Sequence, residues 1–94
     1  MVNGLGADLG PIISQHNLVD MISFTGSTEV GINIQELAAK TVKRVSLELG
    51  GKSANIIFAD AAIDQAVDGV VNGIYFNQGH VCCAGSRLLV EESV

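Results

Sequence analysis

The chain has 94 residues and a formal net charge of −5, room for one small domain or a piece of a larger protein, since domains typically hold roughly 100–200 residues. Hydrophobic residues make up 48% and charged residues 16%, with a mean hydropathy of +0.41, so intrinsic disorder is excluded and packed structure is expected. The acidic excess leaves no basic face for a phosphate backbone, and no apolar run reaches the length of a membrane span, so neither nucleic acid nor a membrane is an expected partner and a soluble, cytoplasmic protein is the default.

In chain order, Asn3-Gly4-Leu5-Gly6-Ala7-Asp8 reads as a loop. Asp8, with Pro11 in the following turn, predicts a short helix through about His16, ended by Asn17. Val19 to Thr25 carries Met21, Ile22 and Phe24 and suits a buried strand that breaks at Gly26. Val30, Ile34, Leu37 and Ala38 then share one face of a helix from about Ser27 to Lys40. From Val42 to Leu49 the period becomes two, with Val45, Leu47 and Leu49 on one side and Arg44, Ser46 and Glu48 on the other, which predicts a strand. Gly50-Gly51 breaks it, and Ala54 to Phe58 predicts another.

Asp60 is placed to cap a further helix, in which Ile63, Ala66, Val67, Val70 and Ile74 form an apolar stripe ending near Phe76. Asn77 to Gly85 reads as a loop, and Arg87 to Glu91 as a returning strand. Strands alternating with helices predict an α/β fold with a largely parallel sheet. Such a sheet needs cover on both faces, which a chain of this length does not supply, so a fragment of a longer protein is expected.

Four places carry candidate chemistry, each with a plain structural alternative. Gly4, Gly6 and Gly10 approach a dinucleotide-binding G-x-G-x-x-G, but they do not match it fully, and too few residues precede them for the strand that motif needs. Thr25-Gly26-Ser27 lies where a strand enters a helix, so free N–H groups and the Ser27 hydroxyl are available to an anion; the alternative is a helix cap by Ser27 or Thr28. Glu48 is either a solvated strand carboxylate, paired with Arg44, or a general base beside the open space of Gly50-Gly51.

The only two cysteines, Cys82 and Cys83, follow His80 in a glycine-flanked loop. Adjacent cysteines rarely disulfide-bond to one another; a cysteine in such a loop is accessible and is a candidate nucleophile where its thiolate is stabilised, with His80 able to face Cys82 if the loop is extended, and the alternative is a buried, inert thiol. Zinc would need four well-spread ligands, and no metal is expected.

Together, Phe24-Thr25-Gly26-Ser27-Thr28-Glu29-Val30-Gly31, Leu47-Glu48-Leu49-Gly50-Gly51-Lys52-Ser53 and Phe76 to Arg87 resemble the NAD(P)-dependent aldehyde dehydrogenase superfamily, with Val81 to Val90 closest to its family-16 branch. The resemblance covers nearly the whole chain. It implies a central fragment of that fold, with residues 1–49 the end of a Rossmann-like cofactor domain and residues 50–94 the start of the catalytic domain. It further implies NAD or NADP as cofactor, a small-molecule aldehyde as substrate and a homo-oligomeric parent.

Carried over residue by residue, the resemblance makes Cys82 the nucleophile and Glu48 the general base, and puts Gly26, Ser27 and Leu49 at the cofactor. Cys83 matches a variable neighbour. His80 stands where the family more often has Gln or Glu, and Glu48 argues against the branch that hands its thioester to coenzyme A. The implied reaction oxidises the aldehyde to a carboxylic acid through a thiohemiacetal and a thioester. A cysteine acyl-transferase or hydrolase working without nicotinamide, and an inactive fragment, are the alternatives.

Overall fold

The computed structural model describes residues 1–94, and the chain divides into two compact units, Met1–Gly50 and Gly51–Val94. In the first unit the strand β1 (Met21–Thr25) leads into helix α2 (Thr28–Ala39), which follows a shorter helix α1 (Gly6–Gln15), and the chain returns as β2 (Arg44–Glu48). β1 and β2 pair in parallel, with Met21 opposite Arg44 and Thr25 opposite Glu48. This is a strand–helix–strand unit, the arrangement that parallel pairing of consecutive strands requires.

Its core is Ile22 from β1 with Ile34 and Ala38 from α2, and Val19, Phe24, Val45 and Leu47 pack around them. The alternation expected along β2 is present, since Val45 and Leu47 are half-buried between exposed Arg44, Ser46 and Glu48. On α2 the buried stripe is Gly31, Ile34 and Ala38. Val30, expected on that stripe, is 45% exposed and lines a groove between α1 and α2. The helix turns its glycine rather than its valine inward because the Leu49 side chain lies against Gly31 and leaves no room there for a Cβ.

In the second unit β3 (Ala54–Ile57), α3 (Ile63–Tyr75), a 3-10 turn (Phe76–Gly79) and β4 (Arg87–Val90) follow. β3 and β4 are also parallel, with Ala54 opposite Arg87 and Ile57 opposite Val90. The four strands form two separate pairs, both parallel, in keeping with the α/β pattern expected. Each pair is closed by its own helical connection, and alternation within a strand does not specify which strand it joins. Helix α3 has no buried residue. Its apolar stripe and the strand pair line a groove of about 290 Å³ that includes Ile57, Ala66, Val67, Val70, Leu88 and Val90. No helix is long and apolar enough to cross a membrane.

Four local expectations are corrected. The first helix starts at Gly6 with Leu5, not Asp8, at its N-cap, and Pro11 lies inside it. The Leu5 carbonyl accepts from the N–H groups of both Asp8 and Leu9 at 3.1 and 3.0 Å, so the first turn closes on Leu5 and Asp8 adds its charge to the positive end of the dipole. Gly6 and Gly10 are therefore helical, and the near-match to a dinucleotide fingerprint is not a phosphate loop.

The cap of α3 is Ala62 with no side-chain bond. Asp60 instead lies within a turn closed by Ala61 N–H on the Phe58 carbonyl at 3.1 Å, and Asp64 supplies the acid of the first helical turn. The loop expected from Asn77 does not run on openly from α3: Phe76 breaks the helix with ψ 143, and residues 77–79 begin the loop as a tight left-handed turn.

The fourth correction concerns Val42, expected to open β2. The Lys43 N–H bonds the Ala38 carbonyl at 3.1 Å and the Val42 N–H bonds the Ala39 carbonyl at 3.2 Å, the paired bonds of a Schellman helix end. That motif needs a left-handed residue, and Val42 takes it with φ 54, a position where glycine is usual. Lys43 Nζ reinforces the turn by donating to the His16 carbonyl at 2.7 Å and to Thr41 Oγ1 at 2.9 Å.

Candidate active site

The carboxyl ends of β1 and β2 bring two of the sequence motifs together. Thr25 is opposite Glu48, and the Gly26 N–H donates to the Glu48 carbonyl at 3.0 Å, extending the ladder by one bond. Ser27 then caps α2, its Oγ accepting from the Val30 N–H at 3.3 Å. The capping alternative for Ser27 is therefore realised. Capping uses only the oxygen as acceptor, so the hydroxyl hydrogen remains available to donate. The N–H groups of Thr28 and Glu29 belong to the helix's first turn, whose amides have no intrahelical acceptor.

The chain leaving β2 is fitted to the start of the same helix. A Cβ built on Gly31 would come 2.5 Å from Leu49 Cδ2, and one on Gly50 would stand 3.7 Å from Thr28 Oγ1. Leu49 thus rests on a helix face that has no side chain at Gly31. Phe24 lies close over Gly26, where an added Cβ would be 2.5 Å from its Cζ. Gly26, Ser27, Glu48 and Leu49 accordingly share one edge, with the Glu48 side chain exposed and Leu49 half-buried. In open parallel sheets, ligands gather at this edge, beyond the carboxyl ends of the strands.

Cys82 belongs to the second unit. Three consecutive residues before it, Asn77, Gln78 and Gly79, have left-handed backbones, with φ of 48, 56 and 81. Only glycine adopts this without strain, and Asn tolerates it better than most residues. The Asn77 side chain holds the bend: its Nδ2 donates to the His80 carbonyl at 3.1 Å, and the His80 N–H returns a bond to the Asn77 carbonyl at 3.0 Å. The sequence reading missed this segment, although Asn-Gln-Gly offers residue types that accept such a backbone.

A tight turn follows, with Cys82 and Cys83 as its central residues, closed by the Ala84 N–H on the Val81 carbonyl at 3.1 Å. Ala84 is buried and anchors the turn, while both thiols are free and exposed. The extended loop that would have aimed His80 and Cys82 to the same side is not formed, because His80 has φ −85 and ψ 65 and the chain turns immediately afterwards. Downstream, Arg87 secures the entry to β4, with its N–H on the Ser53 carbonyl at 3.0 Å and Nε on the Lys52 carbonyl at 3.0 Å.

The family model described as "Aldehyde dehydrogenase family" matches residues 1–94. The chain belongs to the aldehyde dehydrogenase family. Retinal dehydrogenase 2 of Taeniopygia guttata is 58% identical over 92 residues, covering 97% of this chain and 18% of that protein. Betaine aldehyde dehydrogenase of Staphylococcus aureus, solved in complex with NAD+, superposes with a TM-score of 0.86 at 50% identity, covering 98% of this chain and 18% of that one. An NAD-dependent aldehyde dehydrogenase of Sinorhizobium meliloti gives a TM-score of 0.87 at 52% identity, again covering 98% of this chain and 18% of that one. The aldehyde dehydrogenase chain described here therefore has the α/β fold of one part of these enzymes and spans less than a fifth of their length.

Proposed function

We propose that the full-length protein carrying this chain oxidises a small aldehyde to a carboxylic acid with NAD(P)+, with Cys82 as nucleophile and Glu48 as general base. The meeting of Gly26-Ser27 with Glu48-Leu49 at the ends of paired strands carries this reading, together with family membership. In this reading Met1–Gly50 ends the cofactor-binding domain and Gly51–Val94 begins the catalytic one.

The residues at that edge fit a dinucleotide. Gly26 lets a ligand approach the backbone, and the first amides of α2 with the Ser27 hydroxyl offer donors to a pyrophosphate at the positive end of the helix dipole. Leu49 adds an apolar contact beside them. Relatives solved with NAD+ favour NAD. When bound, the dinucleotide supplies the acceptor for the aldehyde's hydride.

The remaining chemistry belongs to side chains of this chain. The Cys82 thiolate adds to the aldehyde carbon to give a tetrahedral thiohemiacetal, and loss of the hydride leaves a thioester on Cys82. Because the turn is closed by the Ala84 N–H, the Cys82 N–H is available to the developing oxyanion. Glu48 takes a proton from water as that water attacks the thioester, which releases the acid and regenerates the thiolate.

The test is NADH formation by the full-length protein with a simple aldehyde. Cys82→Ser should lower it by at least about a thousandfold, whereas Cys83→Ser should retain most of it. Equal losses in the two variants would remove Cys82 from its role. Glu48→Gln should keep a single-turnover burst and slow the following steady state by about a hundredfold or more. A vanished burst with cofactor still bound would place Glu48 before acylation instead.

A further inference from the structure

The backbone that leaves Glu48 is held at two points with a gap between them. On the near side the Gly26 N–H donates to the Glu48 carbonyl at 3.0 Å. Gly50 and Gly51 follow, and a Cβ built on Gly51 would meet nothing within 4 Å, so this stretch has no side chain to fix it. On the far side Arg87 supplies both bonds: its Nε donates to the Lys52 carbonyl at 3.0 Å and its N–H to the Ser53 carbonyl at 3.0 Å. The paired register of β3 with β4 begins only at Ala54. Arg87 is itself set in place, because Gly85 lies so close to β3 that an added Cβ would be 2.8 Å from Asn55 Cβ.

We propose that Arg87 is a positioning residue for Glu48: its Nε–H fixes the Lys52 carbonyl, so the two glycines run between set points and the carboxylate is held where it can work. The proposal rests on the reading of Glu48 as general base. The bond is directional and belongs to one atom of the side chain. Lysine places a methylene where arginine has Nε, so it keeps the charge and loses the donor. Glutamine carries its Nε2 the same number of bonds from the backbone, so it keeps the donor and loses the charge. Methionine has similar length and neither. Because Glu48 acts on water after the thioester has formed, loosening its segment slows hydrolysis of the thioester and leaves the earlier hydride transfer unaltered.

The full-length protein is compared with its Arg87→Met, Arg87→Lys and Arg87→Gln variants in single-turnover bursts and steady-state NADH formation from a simple aldehyde. Arg87→Met and Arg87→Lys should keep the burst and slow the steady state by about tenfold, the worth of one hydrogen bond, while Arg87→Gln should stay within about twofold of the wild type. Endoproteinase Lys-C, cutting after Lys52, reads the anchor without catalysis: cleavage should quicken by about tenfold in Arg87→Met and Arg87→Lys and not in Arg87→Gln. Activity kept by Arg87→Lys and lost by Arg87→Gln would make charge the cause and overturn the proposal. Equal loss of burst and steady state, or equal cleavage in all four proteins, would overturn it as well. Cleavage in the expected order, with a steady state that Glu48→Gln leaves intact, would support the anchor at Lys52 and overturn Glu48 as base, so the two readings fail separately.

Discussion

The two units share one plan, a strand, a helix and a parallel return strand, and differ in how well they close. Met1–Gly50 buries Ile22, Ile34 and Ala38, whereas Gly51–Val94 buries a single apolar side chain, Ala84. The first connection, residues 26–43, is short and devoted to α2. The second, residues 58–86, is longer and also carries the 3-10 turn and both cysteines. Closure therefore follows from what lies on the helix: α2 has α1 on one side and its own strands on another, while α3 offers its valines to a groove.

The largest expected effect is on the 94 residues expressed alone. They expose 7368 Å², whereas two separately folded units of half this mass would together expose about 6,200 Å². Amide exchange should be slow only in β1, α2 and β2, without a sharp overall unfolding transition and without NADH formation from an aldehyde. A monomer with one cooperative transition and slow exchange through α3 would break the contrast. The next effect separates the two helices within that chain. Ile34→Ala should remove most of the protection of β1 and β2, at about 3 kcal/mol. Val67→Ala, at a side chain 55% exposed, should change exchange by no more than about 0.5 kcal/mol.

The smallest effect concerns the end of α2. A left-handed conformation costs a side-chain-bearing residue roughly 1–2 kcal/mol, and glycine gives back part of that through the entropy of the unfolded chain. Val42→Gly should therefore stabilise the first unit by about 0.5–1 kcal/mol. Slower exchange at Thr41 to Lys43 is the measurement, and faster exchange there would contradict the left-handed backbone.

What could be read from the sequence was periodic. Alternation through Val45 and Leu47 located β2, and the spacing of Ile34 and Ala38 located the buried side of α2. The edge formed by Gly26, Ser27 and Glu48 was legible as motifs at two breaks between elements. Caps were not legible where the backbone alone makes them, as at Leu5 and Ala62, because no side-chain type marks such a start. Val42 was misread because a β-branched residue next to a strand looks like part of it, while its φ is dictated by hydrogen bonds to Ala38 and Ala39. Pairing into two sheets depends on which helix covers which strands, and that is absent from any one strand's pattern.

The register of β1 on β2 gives the sequence a parity. Thr25 faces Glu48, and successive side chains of β2 point to opposite sides. One residue gained or lost between α2 and β2 would slide the strand by a single position and bring a leucine, Leu47 or Leu49, to the place of the carboxylate. Two residues would restore an outward-facing side chain. Any slide of the strand, by one residue or by two, would take Glu48 from its place opposite Thr25, so the chemistry at the end of the strand is guarded by the count of residues in a turn that never touches it.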